Sequence, residues 1–282
     1  EGARALVASF IGAVVPEEVI FTRNASEALN LVANTVAARL IPGDEVVISV
    51  MEHHSNIVPW QLVCERTGAV LRWFDVTDEG RLDLEAAERD GLINERTRVV
   101  SVTHVSNVLG TRNPVDDIAA KAHAVGAVML VDASQSAPHQ SIDVTKLGAD
   151  LVAFTGHKMC GPTGIGVLWG RGELLESLPP FLGGGEMIEV VEMTHSTYAD
   201  PPHRFEAGTP PIAQAAGLAS AIRYLQGIGM DAIAAHEHEL TEYMLAKLTS
   251  IDGLVLLGPA EAVERGSACS FNLHGILPHD VM

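Results

Sequence analysis

Lys158 follows the run Leu151-Val-Ala-Phe-Thr155 and precedes the glycine-rich turn Gly161-Pro-Thr-Gly-Ile-Gly166. A lysine at the end of so apolar a segment must be paired, deprotonated or covalently bound, because a bare ammonium desolvates at high cost. Its position suits a lysine that forms a Schiff base with an aldehyde cofactor. Other polar clusters also stand just after apolar runs: Arg23-Asn-Ala-Ser26, Met51-Glu-His-His54, His104-Val-Ser-Asn107 and Asp132-Ala-Ser-Gln135. Ligands of parallel sheets bind beyond the carboxyl ends of the strands, so these clusters are expected to converge with Lys158.

Each cluster suggests a task. Asn24-Ala25-Ser26 opens a helix, where free N–H groups and the positive end of the dipole make a phosphate cradle; the plainer reading is a Ser26 cap. Thr155 and His157 offer donors from the opposite side. Asp132 ends an almost wholly apolar strand, so its carboxylate needs a cation or a strong donor. The protonated ring nitrogen of pyridoxal phosphate is such a partner, and an aspartate there keeps the ring an electron sink. His53 is placed to lie flat on a cofactor ring and to shuttle protons near neutral pH. A metal pair with His54 is disfavoured, since adjacent side chains on a strand point to opposite faces. Asn107 and Gln135 are neutral amides suited to a ring oxygen.

The elements that must carry these residues alternate. Strands are expected over 19–22, 45–50, 70–74, 99–105, 127–132, 151–154 and 166–169, with helices over 26–40, 59–66, 84–91, 114–125 and 144–147. This is an α/β fold, a mainly parallel sheet with helices on both faces. Past Thr209 the pattern changes to two long helices, 210–225 and 230–250, and two strands, 254–258 and 267–273. The expected division is a large cofactor-binding domain over 1–212 and, over 213–282, a linking helix with part of a smaller α+β domain. Glu1 falls within an apolar-periodic helix and Met282 follows a polar Pro-His-Asp, so an internal piece of a longer protein is expected.

The chain has 282 residues, 18 basic against 36 acidic, and a net charge of −18. Nucleic acid and anionic membrane surfaces are therefore poor partners. Its apolar runs are too short to span a bilayer, and a cytoplasmic location is expected. Cys64, Cys160 and Cys269 are far apart and show no CxxC spacing; all three read as packed, small apolar groups.

The motifs Met51-Glu-His-His-Ser-Asn-Ile-Val-Pro-Trp60, Thr103-His-Val-Ser-Asn-Val-Leu-Gly110, Val131-Asp-Ala-Ser-Gln135, Thr155-Gly-His-Lys158 and Arg204-Phe-Glu-Ala-Gly-Thr-Pro210 run through most of the chain. In wording, order and spacing they closely resemble the cysteine desulfurases of the iron-sulfur assembly, selenocysteine-lyase-like type, within the class V aminotransferases of fold type I. The resemblance implies that Lys158 holds pyridoxal phosphate and later moves protons, that His53 stacks on the ring, that Asp132 binds the pyridine nitrogen and that Gln135 bonds the phenolic oxygen. It places Asn107 near that oxygen and the substrate carboxylate. Ala25, Ser26, Thr155 and His157 would hold the phosphate, with Thr209 reaching it from the partner subunit of a homodimer. Where relatives often carry two threonines, this chain has Ala25-Ser26, which implies weaker phosphate retention.

The implied reaction converts L-cysteine to alanine and passes sulfur, as an enzyme persulfide, to an acceptor protein. The resemblance puts the thiol that takes the sulfur downstream of His279-Asp-Val281, and the arginine that grips the substrate carboxylate beyond Met282, so this stretch is expected to bind cofactor better than it turns over cysteine. The alternatives are another class V enzyme, such as a selenocysteine lyase, an epimerase, a kynureninase-like hydrolase or an aminotransferase, and a non-catalytic scaffold. Intact Lys158, Asp132 and His53 count against the scaffold.

Overall fold

The computed structural model describes residues 2–281; Glu1, whose place in a helix was expected, and Met282 lie outside them. Helix α1 (Gly2–Phe10) leads into a seven-stranded sheet built from β1 (Val19–Thr22), β2 (Glu45–Ser49), β3 (Val70–Phe74), β4 (Thr97–Thr103), β5 (Val128–Asp132), β6 (Leu151–Thr155) and β7 (Gly166–Gly170). The spatial order is β1-β7-β6-β5-β4-β2-β3. Strands β6, β5, β4, β2 and β3 pair in parallel, and β7 runs antiparallel between β6 and β1.

Continuous apolar runs become strands here because both faces of the sheet are covered. Val47, Val100, Val102, Met129, Val131, Val152 and Phe154 pack with Val7 of α1, with Ile118 of α5 (Val115–Ala124) and with Leu218 of α7 (Ile212–Ile228). Their neighbours Val46, Ile48, Val99, Leu130, Leu151 and Ala153 face the other way. They meet Leu29 and Val32 of α2 (Ala25–Ala37) and Trp60 and Val63 of α3 (Val58–Thr67). The alternation follows the two-residue period of a strand, so each strand feeds two cores. At the sheet edge, β3 is only partly buried.

Two further helices flank the sheet, α4 (Leu84–Arg89) and α6 (Gly172–Ser177), and a short hairpin joins β8 (Ile188–Val191) to β9 (Ser196–Tyr198). After α7 come α8 (Met230–Thr249) and the antiparallel pair β10 (Leu254–Leu257) and β11 (Ser270–Leu273). The helix expected over 144–147 is instead a turn on Asp143, whose carbonyl accepts from the Lys146 and Leu147 amides at 3.0 and 3.2 Å. Four residues cannot repay helix nucleation. None of the described helices is long and apolar enough to cross a membrane.

Candidate active site

Because β1, β2, β4, β5 and β6 point the same way, the loops after them collect at one sheet edge around an open cleft of about 510 Å³. Nine of the ten residues expected at the site line it: Ala25, Ser26, His53, Asn107, Asp132, Gln135, Thr155, His157 and Lys158. Thr209 does not join them. It is exposed in a neighbouring cleft beside Thr22, Arg23 and Phe181.

The first wall is the start of α2. Asn24, not Ser26, caps this helix: its Oδ1 accepts the Glu27 N–H at 2.9 Å. The amides of Ala25 and Ser26 are then the first two of the helix and have no intrahelical carbonyl to reach, and both residues line the cleft. Gly166 makes this approach possible. A Cβ there would lie 2.4 Å from the Asn24 carbonyl carbon, so only glycine lets β7 begin against the loop.

The second wall is the 3-10 turn 156–158 that follows β6. Thr155 Oγ1 and His157 Nδ1 are bonded at 2.9 Å. Lys158 is half-buried and has no ion-pair partner among the described residues. Gly156 keeps the turn tight, since a Cβ would sit 2.7 Å from Ile165 Cγ2. Cys160, two residues on, corrects the expectation of a packed thiol: it is exposed, at a φ of 61°. The turn needs a left-handed residue there, and that conformation turns the side chain outward. Cys269 is only half-buried, whereas Cys64 is buried on α3, and burial pushes its thiol pKa up.

The floor is acidic. Asp132 is 4 % exposed, and its Oδ1 accepts the Ser134 N–H at 2.9 Å. Among the described residues its other oxygen has no donor and no cation pairs with it, an arrangement that calls for a protonated group in the cleft. Ser134 Oγ is buried without a partner in the same lining. His53 stands opposite on the turn after β2. Its Nδ1 accepts the Ser55 N–H at 3.2 Å and meets the Ser55 hydroxyl, which leaves the proton of the neutral ring on Nε2.

Ser55, Thr103 and Ser134 also line the cleft, and sequence reasoning did not single them out. Small hydroxyl residues in turns carry no local signal. Glu52 was missed too. It is 6 % exposed, and burial, with the charge on Asp132 adding to it, pushes its pKa up to about 8.

An unpaired lysine, an acid oxygen awaiting a donor, free helix-start amides and an orphaned hydroxyl together fit a molecule bearing an aldehyde, a basic ring nitrogen and a phosphate. That combination on an α/β fold of this strand order defines a class. The chain belongs to the class-V aminotransferase family, whose sequence profile matches residues 1–282. It is 62 % identical over 286 residues to the probable cysteine desulfurase of Streptomyces coelicolor, a match that covers 100 % of this chain and 68 % of that protein. The crystal structure of a cysteine desulfurase from Escherichia coli superposes with a TM-score of 0.93 at 34 % identity, covering 99 % of this chain and 69 % of that one. A C-DES mutant with glycine covalently linked to its PLP cofactor superposes with a TM-score of 0.85 at 26 % identity, over 99 % of this chain and 73 % of the other.

Proposed function

We propose that this protein is a pyridoxal-phosphate-dependent cysteine desulfurase that takes sulfur from L-cysteine and leaves L-alanine. The observation that carries the reading is the meeting, in one cleft, of unpaired Lys158 with the free oxygen of Asp132 and the unbonded amides of Ala25 and Ser26. The cysteine desulfurases among the relatives support the choice of substrate.

When bound, pyridoxal phosphate supplies the electron sink that makes bonds at the α-carbon of an amino acid breakable and labilises the β-carbon substituent. Lys158 Nζ would bond its aldehyde carbon and, once displaced by substrate, move a proton at the α-carbon. Asp132 would hold the ring nitrogen proton. The amides of Ala25 and Ser26, the Ser26 hydroxyl, Thr155 and His157 would hold the phosphate, where the helix dipole favours negative charge. His53 would lie over the ring, and Gln135 and Asn107 would face its phenolic oxygen.

Among the described residues, no cysteine or arginine lines the cleft. The thiolate that takes the sulfur and the arginine for the substrate carboxylate belong, on this reading, to the part of the relatives' length that these residues do not span. Thr209 is assigned to the phosphate of a partner subunit in a homodimer, since within its own chain it faces a different cleft. Residues 1–212 form the cofactor domain and 213–282 begin the smaller one. The sulfur goes to an acceptor protein of iron-sulfur cluster assembly, in the cytoplasm.

Addition of pyridoxal phosphate is expected to give a yellow protein whose visible band is lost in Lys158→Ala. With a dithiol reductant present to release the persulfide sulfur as sulfide, the full-length protein should convert L-cysteine to alanine and sulfide in equal amounts. A loaded protein that yields no sulfur would move the chain to another branch of the family.

A further inference from the structure

Beneath His53 lies a closed polar cage. Ser49, Asn56 and Ser101 are fully buried, Thr103 is 5 % exposed and Glu52 6 %. Glu52 Oε1 accepts from the Ser49 hydroxyl and, at 2.9 Å, from the Thr103 backbone N–H. Its Oε2 accepts from Asn56 Nδ2 at 2.7 Å. The Asn56 amide cannot turn over, because its Oδ1 accepts from Trp60 Nε1 at 3.1 Å and from the Ser101 hydroxyl at 2.6 Å. An indole N–H is only ever a donor, so Asn56 must present its NH2 to Glu52, and Glu52 must accept on both oxygens.

The cage joins the end of β2 to two pieces that line the cleft, the turn bearing His53 and Ser55 and Thr103 at the end of β4. His53 itself is exposed, and Ser55 is the residue that bonds its side chain. We propose that Glu52 is a positioning residue for His53: by clamping both strand ends and the turn, it fixes where the imidazole stands over the cleft. This rests on the reading of the cleft as a pyridoxal phosphate site with His53 over the ring. What the position requires is acceptors on both oxygens, not a charge. A proton on Glu52 finds its acceptor in the Ser49 hydroxyl and leaves the contacts to Asn56 and Thr103 as they are, in keeping with the upward push of burial on this acid.

The polarity of the cage supplies its own test. In Glu52→Gln the new NH2 meets a donor whichever way the amide is turned, the Asn56 NH2 on one side or the Thr103 N–H on the other. Adding Asn56→Asp restores every contact with one bond reversed: the new glutamine donates to the new aspartate, whose other oxygen still accepts from Trp60 and Ser101. On proteins loaded with pyridoxal phosphate, the readouts are the visible circular dichroism of the bound cofactor, its rate of loss in dilution, and the thermal midpoint. Glu52→Gln is expected to lower the dichroism and to speed cofactor loss roughly tenfold, equivalent to about 1.4 kcal/mol. The double variant should recover both. Should Glu52→Gln alone not fold, the double variant and Ser49→Ala, which removes one donor, carry the comparison; Ser49→Ala should fall between wild type and loss. A Glu52→Gln protein with a lowered midpoint but wild-type dichroism and cofactor retention would overturn the positioning role, as would a folded double variant that recovers neither. A wild type that takes up no cofactor would instead sink the reading of the cleft.

Discussion

The backbone N–H of Ser134 donates to Asp132 Oδ1 at 2.9 Å and so aims the buried acid's other oxygen at the cleft that Lys158 lines. One oxygen is satisfied within the protein and the other is kept for a ligand. Asp132→Asn keeps the shape and the Ser134 contact but removes the charge. Losing one charge-assisted bond costs about 2 kcal/mol, so pyridoxal phosphate should bind roughly thirtyfold more weakly, as read by equilibrium dialysis against the visible band. An unchanged affinity would remove Asp132 from the ring nitrogen.

Gly166 links the turn after Lys158 to the phosphate wall. Because a Cβ there would press into the Asn24 backbone, Gly166→Ala must push the start of β7 or of α2 aside. Overpacking of this kind costs about 1–3 kcal/mol. The variant should melt earlier and hold cofactor less well, whereas Gly227→Ala, at a helical glycine with open space around it and no left-handed backbone, should leave cofactor retention unchanged. Thermal melts with and without pyridoxal phosphate check both.

Stability should depend on pH through His104. Burial first, with Arg112 adding to it, pushes its pKa from the ordinary 6.5 down to about 4, and its Nδ1 meets Ser136 Oγ at 3.1 Å. The folded protein keeps this ring neutral while the unfolded chain protonates it. Its contribution is therefore complete above pH 6.5 and declines as pH falls from there towards 4, by at most about 1.4 kcal/mol per unit. Denaturant titrations should show a shallower decline across that window in His104→Gln than in wild type. Parallel curves would contradict the assignment.

Much of this was legible in the sequence because buried parallel strands write themselves as unbroken apolar runs: β2, β5 and β6 stand where those runs predict, to within a residue at either end. The strand direction of β7 was not legible, since an apolar run between β6 and β1 reads the same either way round. The hairpin β8–β9 was missed because its strands are only four and three residues long and mostly exposed, so neither shows a buried apolar run. At the site, residues with a chemical signature were found and their supports were not. Glu52 looks like any acid beside a histidine until Asn56, Trp60 and Ser101 are brought under it from the turn 54–56, α3 and β4. Asn24 took the cap that Ser26 was offered, because its side chain reaches the Glu27 amide from two residues earlier.

The reading turns on a covalent bond at Lys158. The protein should be loaded with pyridoxal phosphate, reduced with borohydride to fix any carbon–nitrogen double bond, digested and mapped by mass spectrometry. A phosphopyridoxyl group on Lys158 is the predicted result. Its absence from Lys158, or its presence at Lys121, Lys146 or Lys247 instead, would contradict the account.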